Sequence, residues 1–189
     1  MSPLKLPRTI QLDPSDTFVF ENAAEPGEWA VTGSFLFLDT DPASLAAKAR
    51  AAFRSGFVGV KTLGFSTLVV VSEASERDFE AAVAELAVHI RDALGAPSEK
   101  AALAAAREEL TVSASLCGPA ANSVLAMHRS LVDGELREQF RTLVPRGGGV
   151  AGADRLHAHA RAFEFVETNE DEVEVEERVD LASLMGRAR

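Results

Sequence analysis

Apolar and polar positions along this chain switch repeatedly between the period of a strand and that of a helix. Over residues 28–38, "EWAVTGSFLFL", Trp29, Val31, Phe35 and Phe37 alternate with Ala30, Thr32, Ser34 and Leu36. That is the spacing of a strand with one heavily apolar face. Upstream, "RTIQL" and "TFVFE" flank the turn-forming Asp13, Pro14 and Ser15, so the first 39 residues read as an antiparallel β unit. Asp41 and Pro42 then form an N-cap with a proline at the first helical position, and "ASLAAKARAAF" carries a helix over 42–55 to Ser55 and Gly56. "FSTLVVVSEAS" returns to β-branched residues and predicts a buried strand over 64–73.

The clearest helix is predicted over 76–94. Ser75 and Asp78 form a capping box, Phe79, Val83, Leu86 and Ile90 recur at three and four residues, and Gly95 with Pro97 ends the run. A third helix starts at Ser98 and stops near Cys117, Gly118 and Pro119. Next, "SVLAMHRSLV" and "ELREQFRTLV" are joined by Asp133 and Gly134, the preferred pair for a two-residue type I′ hairpin. That turn sets a register of Leu131 opposite Leu136, Arg129 opposite Glu138 and Met127 opposite Phe140. An ion pair among apolar neighbours follows from it.

These elements assemble into a single α+β domain spanning 1–189, an antiparallel β-sheet with about three α-helices packed on one face. Trp29, Phe35, Phe37, Phe79, Leu86, Ile90, Met127 and Phe140 are the expected core. Residues 147–153 read as a flexible Gly-rich loop. "RAFEFVE" and "EVEVEER" read as strand material, and "DLASLMGRAR" as a short terminal helix.

Composition narrows the function classes. Hydrophobic residues are 47% and charged residues 25%, the balance of an ordinary globular protein. No apolar run nears the roughly 18 residues that span a bilayer, and the polar N-terminal stretch lacks a signal-peptide pattern. A cytoplasmic location and no membrane partner are therefore expected. The formal net charge is -10, with arginines scattered along the chain, so no nucleic-acid partner is expected. The acidic segment 167–180 alternates Glu172, Glu174 and Glu176 with Val173 and Val175, the pattern of a half-exposed strand whose charges discourage edge pairing.

Candidate chemistry centres on "HAHARAFEFVE", residues 157–167. In a strand, His157 and His159 share a face and could grip one divalent metal, iron or zinc, with Glu164 completing a two-histidine, one-carboxylate set. The string resembles the first metal motif of the cupins, glycine, five residues, His-x-His, three or four residues, glutamate. It departs from that motif because Gly152 is one residue too close, Asp171 stands where the family has a glycine, and no second motif follows. Five residues separate His159 from Glu164, which puts the carboxylate on the opposite face of a regular strand. The competing reading makes both histidines surface residues beside the glycine-rich loop, or places them on the first turn of a short helix beginning at Asp154.

Other candidates are weaker. "GFVGVKTLG", residues 56–64, lacks the contiguous Gly-Lys-Ser/Thr of a phosphate loop because Val60 separates Gly59 from Lys61. Cys117, the only cysteine, falls at a helix C-terminus, where the dipole disfavours a thiolate, so it reads as a small core residue and not as a partner of His89 or His128. No serine sits in a Gly-x-Ser-x-Gly setting.

The segments "FVFENAAEPGEWAVTGSF", "GFSTLVVVSEAS", "SASLC", "DGELREQFRTLVPR" and "HARAFEF", spread over nearly the full length, resemble an uncharacterised proteobacterial family, a domain of unknown function. That resemblance carries no established activity. The reading is a non-catalytic binding or accessory protein of unknown ligand, without a cofactor, forming a homo-oligomer. The alternative is a small metal-dependent enzyme using His157, His159 and Glu164.

Overall fold

A computed structural model describes residues 3–11, 18–145 and 163–167 of the chain. Within them lie eight strands and three α-helices: β1 (Lys5–Thr9), β2 (Ala30–Val31), α1 (Ala47–Ser55), β3 (Phe57–Gly59), β4 (Phe65–Ser66), β5 (Leu68–Glu73), α2 (Glu76–Leu94), α3 (Glu99–Ser115), β6 (Val124–Val132), β7 (Glu135–Pro145) and β8 (Phe163–Glu167). The strands form two antiparallel sheets, one of five in the order β1-β5-β6-β7-β8 and one of three in the order β2-β3-β4. The α+β class therefore holds, but the strand content is divided where one sheet was expected.

Two local features cause the division. The strand expected over 28–38 stops after Val31 because Gly33 adopts φ 80, and residues Ser34–Phe37 coil into a 3-10 turn. A β-carbon on Gly33 would lie 2.2 Å from Val58 Cγ2, so this turn exists only because the position has no side chain. The strand expected over 64–73 breaks at Thr67. There the Ser66 hydroxyl donates to the carbonyl of Leu68 at 2.8 Å, with that of Ile10 at 3.2 Å, which separates β4 in the small sheet from β5 in the large one. The predicted strand around "TFVFE" is likewise absent, since Phe18–Phe20 turn instead. The helix expected over 42–55 begins as a 3-10 turn at Pro42–Ser44, capped by Asp41, and resumes as α1 only after Leu45 and Ala46 extend.

The caps of the two long helices and the hairpin stand as expected, while the strand expected in "EVEVEER" and the terminal helix in "DLASLMGRAR" lie outside the described residues. The Ser75 side chain and backbone exchange bonds with Asp78 in a full capping box, Gly95 closes α2 at φ 69, and Ser98 caps α3. Asp133 and Gly134 have φ 54 and 82, the two left-handed positions of a type I′ turn. The register follows as expected, with Met127 opposite Phe140, Arg129 opposite Glu138 and Leu131 opposite Leu136.

Three apolar clusters hold the domain. Val83, Leu86 and Ile90 of α2 and Ala102, Ala106 and Leu110 of α3 close over Leu6, Val31, Val58 and Val60. The small α3 side chains let the helix approach its neighbours closely. Val69, Val71, Leu125 and Met127 gather with Phe57 and Cys117. Phe20, Phe37 and Phe53 form the third with Phe65 beside them, Phe37 and Phe53 meeting edge to face at 5.5 Å. Of the expected core, Phe37, Leu86, Ile90 and Met127 are buried, while Trp29, Phe35, Phe79 and Phe140 are partly so. At about 1.5–3 kcal/mol for each large side chain taken from water, these clusters dominate stability.

Candidate functional site, a basic groove beside an open strand edge

β6 pairs with β7 along its whole length but with β5 only over Val124–Ala126. Among the described residues no strand lies along the other edge of β6 from His128 to Val132. α1 packs beside β6 here and leaves a groove of about 660 Å³, lined by Asp41, Pro42, Ala43, Arg50, Phe53, Arg54, His128, Arg129, Ser130 and Leu131. Four consecutive residues of one strand line it. Successive side chains of a strand leave on opposite faces, so such a run means that the strand presents its edge.

Helix geometry places the charges on the opposite wall. Arg50 and Arg54 are one turn apart, hence on one face of α1, and both are exposed. The Arg50 guanidinium donates to the Leu45 carbonyl at 2.9 Å, which leaves further donors for a ligand. His128 is exposed and Ser130 half-buried on the strand side. The one carboxylate in the lining, Asp41, accepts from the Ala43 backbone N–H at 2.9 Å and is partly satisfied by that cap.

Arg129 underlies the groove. Its side chain is 0% exposed, and its guanidinium donates to Glu138 Oε1 at 2.8 Å, to the Phe53 carbonyl at 2.8 Å and to the Thr32 carbonyl at 2.6 Å. The same group lies 5.1 Å from the Phe37 ring centroid. One side chain thus ties the hairpin to the last turn of α1 and to the loop after β2. Burial pulls its pKa below the ordinary value while Glu138 raises it. Nearby on α3, Glu109 is pushed up to about 7, first by burial and then by repulsion from Glu138 and Glu108.

Other sequence candidates fall elsewhere. Cys117 is buried at 2% exposure among apolar side chains, and burial pushes its thiol up to about 11. His89 donates from Nε2 to the Lys61 carbonyl at 2.9 Å, which fixes it to a turn. The rejected phosphate loop is an anion seat filled from within. The Glu28 carboxylate, 9% exposed, accepts from the backbone N–H groups of Lys61 and Thr62 at 2.8 and 3.0 Å and from the Thr62 hydroxyl at 2.6 Å. Gly59 leaves room for it, since a β-carbon there would lie 2.2 Å from Glu28 Cδ.

His157 and His159 lie outside the described residues. So do the glycine-rich stretch 147–153 and nearly all of 167–180. Glu164 is in β8, opposite Val144. Among the described residues, no three His, Cys, Asp or Glu side chains gather to hold a metal ion, and no helix is long and apolar enough to cross a membrane.

Fold and groove together define an α+β domain with a basic cleft at an open sheet edge. The chain belongs to a family of unknown function, DUF6505, whose profile matches residues 4–162. No curated protein and no solved structure matches it.

Proposed function

We propose that this is a non-catalytic binding protein that seats an anionic group in the groove between α1 and β6. One observation carries the reading: in a chain of net charge -10, Arg50, Arg54 and His128 line a single groove of about 660 Å³. Guanidinium groups hold carboxylates and phosphates through paired, charge-assisted bonds. The buried, weakly acidic Cys117 thiol supports binding over nucleophilic chemistry.

Thermal melting with citrate and with inorganic phosphate tests it. A ligand at about one hundred times its Kd adds about 2.7 kcal/mol, roughly 5–10 °C for a chain of this size. The shift should vanish in Arg50→Ala/Arg54→Ala. Neither anion moving the melt of the parent chain would end this reading. A divalent metal held by His157, His159 and Glu164 is a separate proposal, tested by elemental analysis of untagged protein: about one equivalent of iron or zinc, lost in His157→Ala, supports it, and no stoichiometric metal removes it.

A further inference from the structure

We propose that the groove takes an extended acidic peptide, which joins the large sheet as a strand along the open edge of β6. This inference rests on the anion-binding reading above and goes further by naming the partner's chemistry and its mode of docking.

The backbone supports strand addition first. β7 covers one edge of β6 throughout, while β5 leaves the other edge after Ala126. His128 to Leu131 line the groove, and among the described residues no strand pairs with His128 to Val132 on the side away from β7. That edge is five residues long, about 17 Å at strand rise, enough for several ladder bonds. Natural folds usually cover such an edge with a helix or a loop. Here α1 packs against β6 and leaves a groove of about 660 Å³ beside these residues.

Charge then selects the occupant. Arg129 points from β6 toward α1, since it reaches the Phe53 carbonyl. In an added strand, alternate side chains leave on that same side, where Arg50 and Arg54 wait one helical turn apart. Acidic side chains at every second position meet both guanidiniums, while the chain's backbone pairs with β6. A basic peptide would meet Arg50 and Arg54 with like charge. Arg129 itself is buried and bonded to Glu138, Phe53 and Thr32, and holds the wall in place without contacting the ligand.

The experiment uses the full chain and a blocked six-residue peptide that alternates glutamate and valine, titrated by calorimetry. A second peptide carries the same side chains with N-methyl groups at alternate backbone amides. Strand addition predicts measurable binding of the first peptide, at least about tenfold weaker binding of the second, and slowed amide exchange at residues 128–132. Arg50→Ala/Arg54→Ala should weaken the first peptide about tenfold to hundredfold, as expected for losing two charge-assisted contacts, with the far-ultraviolet circular dichroism unchanged.

Equal binding of both peptides, with the arginine dependence kept, would overturn strand addition and leave an anion groove. Binding of citrate or phosphate without either peptide would do the same. No binding of peptide or small anion would remove this inference and the reading beneath it together. A dimer that forms through the β6 edge, seen as a concentration-dependent mass that the first peptide does not reduce, would assign the edge to a second copy and overturn the proposal.

Discussion

Replacing Arg129 with methionine should destabilise this protein by about 3–5 kcal/mol, the range for removing one partner of a buried ion pair. The magnitude follows from what the guanidinium satisfies. Its loss leaves the Phe53 and Thr32 carbonyls without a donor and Glu138, only 17% exposed, without its cation. Each orphaned group costs roughly 1–3 kcal/mol, partly offset by the apolar volume that methionine returns. Lysine should not rescue the site, because one ammonium cannot reproduce three fixed bonds in different directions. Glu138→Leu alone leaves the buried guanidinium unpaired. The double variant Arg129→Met/Glu138→Leu removes both charges and should recover about 1–2 kcal/mol of the sum of the single losses. Urea unfolding at pH 7, followed by the fluorescence of Trp29, the chain's single tryptophan, measures all four corners of the cycle. A loss below about 1 kcal/mol in Arg129→Met, or strictly additive single losses, would refute the idea that one buried guanidinium clamps the hairpin to α1.

Glu109 has its folded pKa raised from about 4.5 to about 7, so the folded state binds the proton more tightly than the unfolded one. Stability should therefore fall as pH rises from about 4.5 to about 7, by about 3 kcal/mol at most. Glu109→Gln should flatten that slope and be more stable than the parent at pH 8; parallel stability curves for the two proteins would contradict the assignment. Gly33→Ala places a β-carbon against Val58 at a left-handed position and should cost roughly 2–4 kcal/mol in chemical denaturation. Gly134→Ala, with nothing within 4 Å of its β-carbon, should cost only the backbone strain of about 1–2 kcal/mol. Cys117 should resist a thiol reagent at pH 7.5 in the folded protein and react once urea unfolds it; stoichiometric labelling of the native chain would place it outside the core.

How far the sequence carried depends on how local each determinant is. The Asp133-Gly134 turn, the Ser75-Asp78 capping box and the Gly95 stop are each decided within a few residues, and all three stand in the structure. The division into two sheets is decided by distant partners. Gly33 turns the chain where Val58 leaves no room, and Ser66 closes its break with Ile10, 56 residues earlier in sequence. Periodicity cannot report either contact, so alternating apolar residues predict one long strand where the ladder is confined to Ala30–Val31, with a single bridge from Trp29 to Arg8.

The groove was hidden for the same reason. Arg50 and Arg54 lie more than 70 residues from His128, and along the sequence they look like scattered surface charge. Only the packing of α1 beside β6 gathers them. Yet one signal was in reach. The hairpin register puts Arg129 in phase with Met127 and Leu131, so a cation shares the strand face of two apolar residues. An ion pair with Glu138 accounts for part of that placement. A guanidinium has five donors, and one carboxylate in the next strand does not occupy them. The unfilled donors of an inward arginine imply backbone carbonyls brought in from another part of the chain, here Phe53 and Thr32. Those carbonyls place α1 against β6, and the groove that carries the proposed function lies along the same contact.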